Sequence, residues 1–182
     1  MKKIIMLLLI ISSLAFGKSV ESINKDIDKL FTIVNQYQDI KLKGEYFRVD
    51  LKELLKLTAQ VESRYGRDNY KNRVAKGVFQ YEMATATYYV KQVGILESYI
   101  EEQLGRKIDV NNEDDCVYIT YLIYMSKFRF HFDWLNKYYS YYSETNDIEW
   151  LVYKVFWNSI KGATTREKFI QRRTELIKEG VL

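Results

Sequence analysis

Glu62 stands at the end of an apolar helical pattern and is followed by Ser63, Tyr65 and Gly66. A carboxylic acid delivers a proton to a poor leaving group near neutral pH only when its pKa is raised, usually by apolar burial. Tyr65, Phe79 and Trp157 are the aromatic residues available to surround it. Standing alone, Glu62 reads as a surface glutamate at a helix end. Glycosidases of the ordinary kind also need a second carboxylate. Asp68 and Glu82 are the nearby ones, and both read as solvated positions on a loop and at a helix start. The other reactive types offer less. No spacing ties the single Cys116 to the single His131. Cys116 reads as a buried small hydrophobe and His131 as a helix-boundary residue. No His, Cys, Asp or Glu spacing is typical of a metal site, so neither a metal nor a cofactor is expected.

The elements that must position these residues are helical. Residues 21–38 carry Ile23, Ile27, Leu30, Phe31, Ile33 and Val34 at helical spacing. Asp50 and Glu53 form a capping-box pattern ahead of Leu51, Leu54, Leu55, Leu57 and Val61, which predicts a helix ending near Gly66. Gly77 to Gln80 reads as a turn or short extended piece. Met83 to Gln92 is helical up to Gly94, and 95–104 is helical up to Gly105. Asn111 or Asn112 caps a run from Glu113 to Phe130 that is apolar around most of its circumference, as in a central helix. Helical patterns continue over 131–143 and from Asp147 through Phe156. Thr164 and Glu167 read as a second capping box before a last helix ending near Gly180. No stretch alternates as a strand would. The expectation is a mostly-α single domain.

The block from Leu57 to Thr87 resembles the transglycosylase SLT domain of soluble lytic transglycosylases and, more loosely, goose-type lysozyme. Glu62-Ser63 matches that family's E-S pair. Gly77 and Gln80 match its G-L-M-Q motif, with Glu62 and Gln80 at the required separation of eighteen positions. Ala84-Thr85-Ala86 matches A-T-A, Tyr121-Leu122 a Y-L pair on a buried helix, and Trp157-Asn158-Ser159 a Y-N-S motif. The ordered set covers about residues 50–165. Lys71, Val74, Met83, Tyr118, Trp157 and Ile160 depart from the family's serine, glycine, proline, glycine, tyrosine and glycine.

The resemblance implies a lysozyme-like fold over residues 18–182. It implies Glu62 as the catalytic acid and base, with Ser63, Tyr65, Phe79, Gln80, Trp157 and Asn158 contacting substrate. The implied reaction is cleavage of the MurNAc-GlcNAc bond of peptidoglycan without water. The substrate's N-acetyl group assists departure, and the glutamate then deprotonates the 6-hydroxyl to leave a 1,6-anhydro end. A hydrolytic lysozyme on the same substrate and a non-catalytic glycan-binding envelope protein are the alternatives. With the family's tyrosine hydroxyl replaced by an indole, Trp157 is expected to dry Glu62 rather than bond it.

Composition agrees with an exported glycan-handling protein. Lys2 and Lys3 precede an apolar run from Ile4 to Phe16, and Ala15-Phe16-Gly17 is a small-x-small cleavage site. Residues 1–17 therefore read as a secretory signal, too short to span a bilayer. Its removal takes two positive charges from a net +4, which leaves no basis for nucleic-acid binding. The expected location is periplasmic or extracellular, with peptidoglycan strands as partner and no stable membrane insertion. Sixteen tyrosines suit sugar stacking, although half-buried helix positions account for most of them.

Overall fold

Asp50 accepts a hydrogen bond from the Glu53 amide at 2.9 Å and starts the helix that carries Glu62. Its N-terminus is capped as expected, but the box is not reciprocal: the Asp50 amide donates to Glu149 Oε1 at 3.1 Å instead. These details come from a computed structural model that describes residues 19–65, 75–76, 78–159 and 161–182. The expected signal segment, residues 1–17, lies outside them, as do Gly66, Asp68, Lys71, Val74, Gly77 and Ile160.

The described chain is mostly helical and forms one domain. Helix α1 (Val20–Ile33) leads into a hairpin of β1 (Tyr37–Leu42) and β2 (Glu45–Asp50). Helix α2 (Leu51–Ser63) follows, then β3 (Ala75–Lys76) paired antiparallel with β4 (Tyr81–Glu82). Helices α3 (Met83–Gln92) and α4 (Gly94–Leu104) precede a 3-10 turn (Glu113–Asp115) and the long α5 (Cys116–Phe130). Short helices α6 (Phe132–Lys137) and α7 (Ser140–Ser143) lead to α8 (Ile148–Val152), which runs on as a π turn (Tyr153–Asn158). The last described helix is α9 (Arg166–Lys178).

Helix α5 is the central element, buried on nearly every side from Cys116 to Phe128, with Tyr121 and Leu122 in the core. It packs against α1, α2 and α3. Cys116, the single cysteine, is buried and in no disulfide. Among the described residues, no helix is long and apolar enough to cross a membrane.

The expected absence of strands does not hold. Residues 37–50 form a two-stranded ladder with Leu42 opposite Glu45. Ile40, Leu42 and Val49 face inward from it, and Lys43 (φ 49°) and Gly44 (φ 94°) make the turn. Both turn residues have positive φ, as the tight hairpin connection requires, and glycine supplies one of them without steric cost. The end of α2 also differs: Arg64 (φ 48°) and Tyr65 (φ 57°) turn left-handed and stop it before Gly66. At α9 the cap is Thr165, which accepts from the Lys168 amide, and not Thr164.

Arg173 of α9 joins the N-termini of α2 and α8. Its guanidinium bonds Asp147, the cap of α8, and lies 2.8 Å from Glu53 and 3.5 Å from Glu149. Burial, reinforced by the neighbouring charges of Glu53 and Asp147, pushes Glu149 up to about 7. The folded protein therefore holds a proton on Glu149 that the unfolded chain releases at lower pH. Stability from this group is fully present below the ordinary carboxylate pKa and is lost as pH rises through about 7. Thermal unfolding between pH 5 and 8 is expected to show Tm falling across that window, and Glu149→Gln to flatten the fall. An undiminished fall in the variant would assign the pH dependence elsewhere.

Candidate active site around Glu62 and Tyr153

Thr58 and Glu62 lie four residues apart, on one face of α2. Each meets a tyrosine. The Thr58 hydroxyl donates to the Leu54 carbonyl at 2.7 Å, so Tyr124 OH, 2.8 Å away, is the donor to Thr58 Oγ1. One turn on, Tyr153 OH donates to Glu62 Oε1 at 2.6 Å. Tyr124 and Tyr153 are both buried, and burial holds both phenols well above their ordinary pKa. Burial also raises the pKa of Glu62. The bond from Tyr153 and the positive charge of Lys168 pull the other way without cancelling it.

Tyr153 is held from behind. With its one proton directed to Glu62, its oxygen accepts from the Thr164 hydroxyl at 3.3 Å. Asn158 Nδ2 donates to Thr164 Oγ1 at 3.1 Å, and Asn158 Oδ1 accepts from the Thr164 amide at 3.3 Å. Lys154, buried, donates to Asn158 Oδ1, the Gly162 carbonyl and the Thr164 carbonyl at 2.9, 2.8 and 3.0 Å. A Cβ on residue 162 would collide with the Asn158 carbonyl and amide, so only glycine fits this return. A polar chain thus runs from Lys154 through Asn158, Thr164 and Tyr153 to Glu62.

The other expected site residues fall into two groups. Ser63, Tyr65 and Phe79 are buried. Ser63 Oγ donates to the Val78 carbonyl at 2.6 Å, and Tyr65 OH donates to Asn24 Oδ1 at 3.2 Å. Phe79 offers its carbonyl to Trp157 Nε1 at 3.1 Å. Ser63 and Trp157 thereby tie the Val78–Gln80 turn to α2 and to the π turn. Gln80 and Trp157 form the second group and share a cavity of about 310 Å³, whose other walls are Tyr81, Glu82, Thr85, Ile123 and Lys127. Gln80 has φ 51°, an uncommon conformation for a residue with a Cβ. Trp157 also stacks on Tyr124, with ring centroids 5.3 Å apart and planes 28° apart. The Asn158 amide is engaged by the loop that follows it rather than by this cavity.

The sequence reading leaves Glu62 without the family's tyrosine hydroxyl, since Trp157 stands in its place. The structure corrects it: Tyr153, four residues before Trp157, makes that contact. Helical spacing puts Tyr153, Phe156 and Trp157 on one side of the helix and that side toward Glu62, but it does not by itself assign the bond to Tyr153. Thr164, Lys154 and Tyr124 were missed for want of any motif, and Lys127 although a lysine interrupts an apolar run.

Among the described residues, no group of three or more His, Cys, Asp or Glu side chains could hold a metal. What the arrangement provides is a half-buried carboxyl whose pKa is raised by burial, with a donor ready for its carboxylate form.

Two outcomes are expected. Tyr153→Phe deletes a bond to the carboxylate form, so the Glu62 titration followed by carboxyl ¹³C NMR moves to higher pH. An unmoved titration would exclude the contact. Gly162→Ala forces Asn158 aside and is expected to cost about 1–3 kcal/mol in denaturant unfolding. Wild-type stability there would mean that the return is not as tight as the Cβ collision requires.

The chain matches no protein-family model, no curated protein and no solved structure.

Proposed function

We propose that this protein is a peptidoglycan lytic transglycosylase with a lysozyme-like fold, exported from the cytoplasm, in which Glu62 is the single acid and base. The observation that carries the reading is the Glu62 carboxyl, kept toward its protonated form by burial and met at 2.6 Å by the Tyr153 hydroxyl. A glycosidic oxygen needs a proton as its bond breaks, and a raised pKa extends toward neutrality the range in which a carboxyl can supply one. Once it has donated, the carboxylate is stabilised by Tyr153 and acts as base toward the sugar's 6-hydroxyl. The two opposing influences on Glu62, burial and the tyrosine bond, suit a group that must serve first as acid and then as base.

The ordered motifs around Glu62, Gln80, Ala84-Thr85-Ala86 and Trp157-Asn158 support the same reading. In it Gln80 binds the N-acetyl group and Trp157 stacks on a sugar, both from the walls of one cavity. Tyr153 takes the part that the resemblance assigns to the tyrosine of the Y-N motif. Ser63, Phe79 and Asn158 act by holding Gln80 and Tyr153 in place.

Purified mature chain incubated with sacculi is expected to release muropeptides with 1,6-anhydro ends, read by mass spectrometry. Glu62→Gln is expected to lower that release by at least ~10²-fold, the usual scale for loss of a general acid. Reducing ends would make the enzyme a hydrolase. Near-wild-type release by the variant would remove Glu62 from the reaction, and no release by either protein would leave a glycan-binding role.

A further inference from the structure

Lys127 is a buried cation on the central helix α5. Its ammonium donates to the Phe156 carbonyl and lies 4.8 Å from the centre of the Tyr89 ring. Among the described residues, no carboxylate stands within ion-pair distance of it. Glu82 shares the same cavity wall but is exposed and makes no ion pair with it. An ammonium has three donors, and a buried charge without a counter-ion is costly. That cost is removed when an anion enters the cavity. Burial lowers Lys127 to about 8, which leaves it mostly charged at neutral pH.

We propose that the cavity is a carboxylate-recognition site in which Lys127 pairs with the carboxylate of an acidic N-acetylated amino sugar while Gln80 and Trp157 engage the sugar itself. The sugar half of this inference rests on the glycan reading above, and the carboxylate half on the cavity alone. Glu82 at the same cavity opposes an anion, so it sets a limit on affinity and selects ligands whose carboxylate reaches Lys127. Two sources supply the chemistry: the lactyl ether of muramic acid, or the far carboxylate of a stem peptide attached through it.

The test is binding, which needs no turnover. NMR titration of the wild-type chain with N-acetylmuramic acid, its methyl ester, N-acetylglucosamine and an N-acetylmuramyl peptide compares acid with neutral sugar. Preference for the acid over its ester and over N-acetylglucosamine by about tenfold is expected for one charge-assisted bond. Preference for the free acid assigns the lactyl carboxylate, and preference for the peptide assigns the stem. Glu82→Gln, altered at an exposed side chain, is expected to tighten binding of the acid. Lys127→Met is expected to erase the preference. Equal binding of acid, ester and peptide by the wild-type chain overturns the proposal, as does a preference that survives in folded Lys127→Met. Failure to cleave sacculi would sink the proposed reaction and leave this binding result standing.

Discussion

The Arg173 guanidinium, set among Glu53, Asp147 and Glu149, is the constraint from which the candidate site follows. Asp147 caps α8, Asp50 caps α2, and Glu149 accepts the Asp50 amide. The N-termini of the two helices are therefore locked to one another and to α9. A helix advances about 1.5 Å per residue with little freedom between its ends. Locking the two starts thus sets where Glu62 on α2 and Tyr153 beyond α8 can meet. Burial, reinforced by the charges of Glu53 and Asp147, pushes Glu149 toward neutrality while Arg173 stays charged. Burial lowers the pKa of Arg173, but the charges of Asp147, Glu53 and Glu149 outweigh that loss.

At the far end, opposing electrostatic influences are balanced rather than maximised. Burial raises the pKa of Glu62, while the Tyr153 bond and the Lys168 charge oppose that rise. Tyr153 supplies one charge-stabilising bond, and the chain through Thr164, Asn158 and Lys154 fixes the direction of that bond. The Tyr124–Trp157 stack, anchored on Thr58, flanks the contact with apolar surface. Lys154 satisfies three acceptors in the return after the π turn, where the helical ladder has ended.

Much of this was legible in the sequence. Asp50 and Asp147 announced two helix starts, Gly105 a helix end, and the apolar run 116–128 a central helix. The capping chemistry is local, so local residues reveal it. The hairpin escaped because its turn is Lys43-Gly44 rather than an Asn-Gly or Asp-Gly pair, and because its outward residues include Tyr37 and Tyr46, which blur the alternation. The cap of α9 slipped by one because two adjacent threonines are chemically equivalent until tertiary contacts divide them. Thr164 is claimed by Tyr153 and Asn158, which leaves Thr165 to cap. The left-handed Arg64 and Tyr65 carry no signal that their residue types would betray. Glu62 and Gln80 stood out by spacing, and helical spacing put Tyr153 on the side of Trp157, but its bond to Glu62 needed the third dimension.

The dependence of α2 on α9 has a consequence for the order of assembly. Besides the Glu53–Arg173 pair, Lys56 Nζ donates to the Val181 carbonyl and Gln60 Nε2 to Glu175 Oε2 across separations of 125 and 115 residues. Contacts so distant along the chain form late, because the intervening segment must be ordered first. In a chain that emerges N-terminus first, Glu62 is made early but stays unsupported until residues 166–181 have arrived. The acidic group thus acquires its full environment only at the close of synthesis or translocation, and a chain cut short before α9 retains Glu62 without the Lys168 charge and without the anchor that ties α2 to α8.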